Sequence, residues 1–326
     1  MVKFALMLPP YPTPMWKLGQ QMGVTHAITG MPMDKPGGQY RLDYMSFVHM
    51  KQRFADAGYT IAGIESRPPM QNTIMGLPGR DKEMDEVEEL LTNMGAVGIP
   101  MWCWAWMAGF NWVRTSLGTP TRGGALVTTY NHKLMENAPL TEWGIVTETQ
   151  LWDAMEYFLK RMVPVAEKAK VQMAVHPDDP PVSPIRGIAR ILTNPDAFQR
   201  VIDMVPSPYN GITFCQGCFA EMCVDIPANV KRFATQKKLF FTHFRNVRGT
   251  ADNFQETFHD DGQVDMYQAM KAYVDYDFDG PMRPDHVPTM EGDANDHPGY
   301  TDRGRLYAVG YMRGLHEAIV KQKAGK

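Results

Sequence analysis

Eight short β-rich runs, separated by stretches with helical spacing, constrain the fold of this 326-residue chain more than any other feature. The runs are Lys3–Pro9, His26–Gly30, Thr60–Ser66, Pro100–Trp106, Gln172–Asp178, Gly211–Gly217, Leu239–Val247 and Gly280–Val287. Helical patterns fall between them at Asp81–Met94, Thr147–Lys170, Pro195–Met204, Ala228–Gln236, Val264–Tyr273 and Thr301–Lys321. Asp81 and Glu83 suit a helical first turn, and Thr147 or Thr149 suits an N-cap. Pro164 is expected to kink its helix, and the Lys321–Lys326 tail to fray. Strands alternating with helices imply a parallel sheet. Eight such units imply a closed (β/α)8 barrel spanning residues 1–326 as one domain. The competing arrangement is an open doubly wound sheet. No G-x-G-x-x-G or Walker loop follows any strand, which weakens its nucleotide-binding versions.

Two connections are long: Phe110–Val146 after the fourth strand and Val287–Tyr300 after the eighth. Long loops in compact domains are commonly lids or binding loops.

In a parallel barrel the C-terminal strand ends meet on one face, and that face carries the active site. Four residues that bind metals well close four successive strands here: His176, Cys215, His243 and Asp285. Each alone has a structural explanation; their coincidence on one barrel face points to a metal site. Two imidazoles, a thiolate and a carboxylate favour zinc, iron or cobalt over manganese. His176 opens His-Pro-Asp-Asp-Pro-Pro, where Asp178 and Asp179 either orient its imidazole or cap the turn. Cys215 also begins Cys-Gln-Gly-Cys218, but a single C-x-x-C is a weak sign of a redox pair or zinc knuckle. Cys103 reads as buried packing.

Arg245 lies two residues beyond His243, on the same side of an extended chain. Arg245 and Arg283 at strand ends, and Arg114 in the long loop, are candidates to hold an acidic substrate. His286 follows Asp285 and has an intrinsic pKa near ~6.5, suited to moving protons at neutral pH.

The bulk numbers exclude several classes. A net charge of -3 gives no bulk basic bias for nucleic acid or anionic lipid. No apolar run approaches the roughly 18 residues of a spanning helix. Pro9 and Pro10 end the first apolar stretch, so it reads as a strand rather than a signal peptide. Four Cys in a chain this long do not make a disulfide framework, so a reducing cytoplasm is expected. The 25 Met read as an adaptable core.

Several segments resemble the mannonate dehydratase family of xylose-isomerase-like TIM barrels. The carriers are Pro164-Val-Ala-Glu, Met173-Ala-Val-His-Pro-Asp-Asp-Pro-Pro181, Phe241-Thr-His-Phe-Arg245, Gly262-Gln-Val-Asp-Met266, Met282-Arg-Pro-Asp-His286, Pro298-Gly-Tyr300 and Gly304-Arg-Leu306. The resemblance implies a barrel with a divalent ion, usually manganese, on the residues matching His176, Cys215, His243 and Asp285. It implies acid–base roles for His286 and Tyr300, and a homo-oligomer; Asp178, at the end of the fifth strand, is a further substrate-binding candidate. The implied reaction is dehydration of D-mannonate to 2-keto-3-deoxy-D-gluconate in hexuronate breakdown. The N-terminal half departs more. Where the family opens with an Arg-Trp-Tyr-Gly-like segment, this chain has Ala5-Leu-Met-Leu-Pro-Pro-Tyr. A His-containing loop after strand two becomes Gly30-Met-Pro-Met-Asp-Lys, and Asp-Trp-Thr-Arg-Thr becomes Asn111-Trp-Val-Arg-Thr115. These departures fall on the substrate wall. They keep open a different sugar acid, a sugar isomerase or epimerase, or a catalytically silent binding barrel.

Overall fold

A computed structural model describes residues 2–325. Twelve strands form in chain order. They are β1 (Lys3–Met7), β2 (His26–Thr29), β3 (Thr60–Glu65), β4 (Met101–Ala105), β5 (Ser116–Pro120), β6 (Leu126–Asn131), β7 (Gln172–His176), β8 (Asn210–Cys215), β9 (Leu239–Phe244), β10 (Val247–Thr250), β11 (Asn253–Glu256) and β12 (Pro281–Pro284). Eight of them close a parallel barrel in the order β1-β12-β9-β8-β7-β4-β3-β2. These are the eight runs read from the sequence, each trimmed at one or both ends. The trimming has a cause at β8: Cys215 closes the strand and is the N-cap of a short helix, Gln216–Glu221, which takes up Gln216 and Gly217.

The six expected helices form, and Glu148–Ala169 continues through Pro164. Its N-cap is Thr147, whose side chain accepts from the Gln150 amide at 3.2 Å. The last helix runs Asp302–Lys323, so Lys321, Gln322 and Lys323 of the tail expected to fray are helical; Lys326 lies outside the described residues. Two further helices, Pro14–Gln21 and Tyr44–Asp56, fill the early crossovers. Helices and barrel share one large apolar core containing Phe47, Trp104, Phe158 and Phe214, all essentially inaccessible to water.

The Phe110–Val146 connection is not simply a loop. It contributes β5 and β6 to a four-stranded antiparallel sheet completed by β10 and β11, in the order β10-β11-β6-β5. That sheet stands outside the barrel. It draws the segment after β4 and the segment after β9 together, pairing Asn131 with Asn253. Two site residues, Arg114 and Glu256, border or belong to it.

Candidate metal centre and acid–base cavity

The barrel brings three of the four strand-end residues into one cluster. His176 ends β7, Cys215 ends β8 and His243 is the penultimate residue of β9. Cys215 and His243 are register partners on adjacent strands. One donor atom from each lies within 4.8 Å of the other two. His176 Nε2 and His243 Nδ1 face each other at 3.2 Å. Two nitrogens sharing a tetrahedral ion at ~2.1 Å would stand roughly 3.4 Å apart, so the spacing suits a common ion. Asp285, just past β12, places Oδ2 3.7 Å from Cys215 Sγ and 3.7 Å from His243 Nδ1.

The opposite ring nitrogen fits as well in His176. A metal-binding imidazole usually turns its other N–H to a carbonyl or carboxylate. His176 Nδ1 donates to the Pro177 carbonyl at 2.7 Å. His243 Nε2 lies 3.2 Å from Glu65 Oε1, off hydrogen-bond alignment and without another partner. Neither Asp178 nor Asp179 orients His176. Burial opposes the Cys215 thiolate, but Cys218 and the Arg245 guanidinium, 3.5 Å from Sγ, hold its pKa well below that of a free thiol.

Above the cluster opens a cavity of about 670 Å³, a size suited to a small-molecule ligand. His176, His243, Asp285, His286 and Tyr300 all line it. The His286 and Tyr300 rings meet edge to face at 5.3 Å, and Tyr300 OH lies 3.4 Å from Asp285 Oδ1. His286 Nδ1 sits 2.9 Å from Glu256 Oε1 on β11, nearer than the Arg114 Nη2 at 3.2 Å that the same carboxylate also holds. A carboxylate there accepts from Nδ1–H, leaving Nε2 as the bare nitrogen. Trp112 packs over the other side of the imidazole, ring centroids 5.2 Å apart.

The four residues expected to bind substrate are all placed differently, and none lines the cavity. Arg245 follows the last residue of β9, so strand alternation no longer aims it. It is fully buried and donates to Glu256, Glu221 and Asp179 at 2.6, 2.7 and 3.1 Å. Gly217 makes room for it: a Cβ there would lie 2.6 Å from Arg245 Cδ. Arg114 donates to Asp179 at 2.5 Å and Glu256 at 2.8 Å. Arg283 points into the barrel, where Glu65 holds it at 2.6 and 2.8 Å and Asp285 at 3.0 Å. Asp178 accepts from Arg190 at 3.1 Å and from the Leu192 amide at 2.8 Å, deep in the protein. Each is a strut behind the cavity wall.

Sequence reasoning passed over Glu65, Arg67 and Glu256. Glu65 ends β3 as the metal-type residues end their strands, so the same signal was available. Cys103, read as packing, is buried but also borders the cavity beside Glu65 and His243. Burial raises the Glu256 carboxyl, but Arg245 and His286 outweigh it and hold its pKa at about 2. Burial and its neighbours act similarly on Glu65, where Arg283 and His243 leave it at about 2. Glu221 is the exception: burial pushes its pKa well above the usual carboxylate range, despite Arg245.

This geometry coincides with a clear sequence relationship. The sequence model of the D-mannonate dehydratase (UxuA) family matches residues 15–143 and 137–326. The mannonate dehydratase of Streptococcus pneumoniae (strain 70585) is 33% identical over 331 residues, covering 93% of this chain and 88% of its own. That of Thermotoga petrophila is 32% identical over 340 residues, covering 93% of each. The crystal structure of mannonate dehydratase from Streptococcus suis serotype 2 superposes with a TM-score of 0.89 at 32% identity, over 100% of this chain and 95% of that one. An L-ribulose 3-epimerase superposes with a TM-score of 0.64 at 11% identity, which shows a shared fold alone. With matches in both halves and across nearly the whole length of its relatives, the chain belongs to the D-mannonate dehydratase family.

Proposed function

We propose that the chain dehydrates D-mannonate to 2-keto-3-deoxy-D-gluconate with the help of a divalent ion held by His176, Cys215, His243 and Asp285. One observation carries the reading: a tight donor trio, two of its members buried, at the floor of a cavity whose wall presents an imidazole and a phenol. The resemblance favours manganese; the donor set alone favours zinc, iron or cobalt.

The C2 proton of a sugar acid is weakly acidic, because its removal adds charge to a carboxylate that is already an anion. A divalent ion supplies the positive charge that lowers this cost. His286 Nε2 takes the C2 proton, since Glu256 occupies Nδ1 and fixes the tautomer. Tyr300 OH gives its proton to the departing C3 hydroxyl, which leaves as water. The resulting enol tautomerises to the 2-keto acid, and the proton held by His286 returns to solvent, while Tyr300 is reprotonated. Trp112 and the β4-side loop shield the imidazole from bulk water. We infer that the active chain is a homo-oligomer working in the cytoplasm.

The test is incubation of manganese-loaded protein with D-mannonate, scored for a 2-keto-3-deoxy acid. Turnover is expected, together with loss of about 10²-fold or more in His286→Ala at unchanged metal content. Interconversion of neutral sugars without any dehydration would replace this reading with an isomerase or epimerase. Absence of both activities and of bound metal would leave a binding barrel.

A further inference from the structure

The cavity wall is rich in acids: Glu65, Asp179 and Asp285 all line it. An anionic substrate entering such a site needs a cation facing it. Arg67 is the only Lys or Arg among the described residues that lines the cavity.

Its setting differs from that of every arginine behind the wall. Arg67 lies two residues beyond Glu65, where β3 has ended and Pro68-Pro69 follow. A residue before proline is confined to extended conformations, so the chain is held straight as it leaves the barrel. The half-buried guanidinium reaches toward the segment after β4. There Nη2 contacts Asn111 Oδ1 at 3.3 Å and the Met107 carbonyl at 3.5 Å, both at or beyond the long end of hydrogen bonding. Among the described residues no carboxylate forms a salt bridge with it, whereas Arg114, Arg245 and Arg283 have carboxylates at 2.5–3.1 Å. A guanidinium carries five N–H donors, and most of these are unspent. Burial lowers its pKa, with Glu83 opposing only weakly, as expected of a desolvated cation lacking its counter-ion.

We propose that Arg67 receives the carboxylate of the sugar-acid substrate and is the residue that selects acids over neutral sugars in this cavity. This rests on the dehydratase reading for the identity of the acid, but not for the presence of an anion subsite. A planar guanidinium matches a carboxylate in two parallel hydrogen bonds, which an ammonium cannot reproduce.

The test uses the manganese-loaded full chain with Arg67→Ala, Arg67→Met and Arg67→Lys. Arg67→Met retains much of the apolar stem, so it separates charge from packing and covers a failure of the alanine variant to fold. For both neutral variants the KM for D-mannonate is expected to rise about 10- to 100-fold. The change in kcat should be smaller, and melting temperatures unchanged within a few degrees. Arg67→Lys should recover part of the loss, and added guanidinium should restore part of the activity of Arg67→Ala. A KM within twofold of the parent in Arg67→Met overturns the proposal. If the parent chain does not turn over D-mannonate, the dehydratase reading fails by itself. Calorimetric binding of D-mannonate then decides on Arg67: loss of binding in Arg67→Met supports the subsite, and equal or absent binding in both proteins overturns it.

Discussion

At the scale of single residues, the acid–base cavity rests on a buried charge ledger. Arg114 and Arg245 face Asp179, Glu221 and Glu256, all inaccessible to solvent. Two cations against three carboxylates would leave an excess negative charge. Burial opposes this excess by pushing the Glu221 carboxyl toward its protonated form, and one of its oxygens, Oε2, has no hydrogen-bond partner. Glu256 instead stays ionised, held by Arg245 and His286. The two glutamates should therefore respond oppositely to the same substitution. Glu221→Gln resembles the protonated form that burial favours and should change stability by less than about 1 kcal/mol. Glu256→Gln removes a buried counter-charge and should cost about 3–5 kcal/mol. It should also lower kcat by about 10- to 100-fold, because His286 loses the anionic acceptor that sets its tautomer, and the amide that replaces it can turn either an acceptor or a donor to Nδ1. Urea unfolding and steady-state rates on the two variants check this; equal stability losses would mean that Glu221 is charged.

At the scale of elements, what could be read in the sequence divides by the kind of burial. The barrel strands are legible because both faces are covered, so each is a compact apolar run such as Leu239-Phe-Phe-Thr-His-Phe244. The four metal-type residues were legible for the same reason: each interrupts or closes such a run. The outer sheet is different. Its strands are four to six residues long and largely polar, as in Ser116-Leu-Gly-Thr-Pro120, so periodicity does not mark them, and only Leu126–Asn131 carries a run of β-prone residues. Only tertiary pairing reveals β11 beside β6, and with it Glu256 behind His286. The arginines misled for a related reason: position at a strand end says that a side chain is near the site, not whether a carboxylate has already claimed it. One local signal in the sheet is strong. Gly249 on β10 has φ +117, and a Cβ there would lie 2.1 Å from the Asn253 carbonyl oxygen across the hairpin. Gly249→Ala should open the β10–β11 pair at a cost of at least about 1–3 kcal/mol. Hydrogen exchange is expected to accelerate at 247–256 with the barrel strands unchanged, and activity to fall with the loss of Glu256. Unchanged protection in the hairpin would refute this.

At the scale of the whole molecule, the charged groups sit at one end of an apolar barrel, and this shapes stability against acid. His259 is fully buried in the segment after β11, its Nε2–H donating to the Phe244 carbonyl at 2.7 Å at the end of β9. Its Nδ1 has no partner, as befits a neutral ring. Burial lowers its pKa from 6.5 to about 4, against smaller opposing effects from that hydrogen bond and from nearby acids. Because the folded pKa lies below the unfolded one, the unfolded chain binds the proton first. Stability is therefore complete above about pH 6.5 and is lost as pH falls toward 4; below that both states are protonated and this loss stops. A shift of this size corresponds to roughly 3 kcal/mol. Glu256 acts in a separate window, since its stabilisation is lost only as pH falls from about 4.5 toward 2. Glu221, His26 and His316 also shift in or near the upper window, but these groups and any bound-metal ligands are common to the parent and a variant. Urea midpoints of the parent and of His259→Gln, taken from pH 7.5 to 4.5, isolate the His259 contribution by difference. The variant begins less stable, because glutamine fits the ring's place poorly, but the gap should narrow steadily below pH 6.5. A gap that stays constant across that range would show that His259 is not the buried titrating group coupling the β11 connection to the barrel.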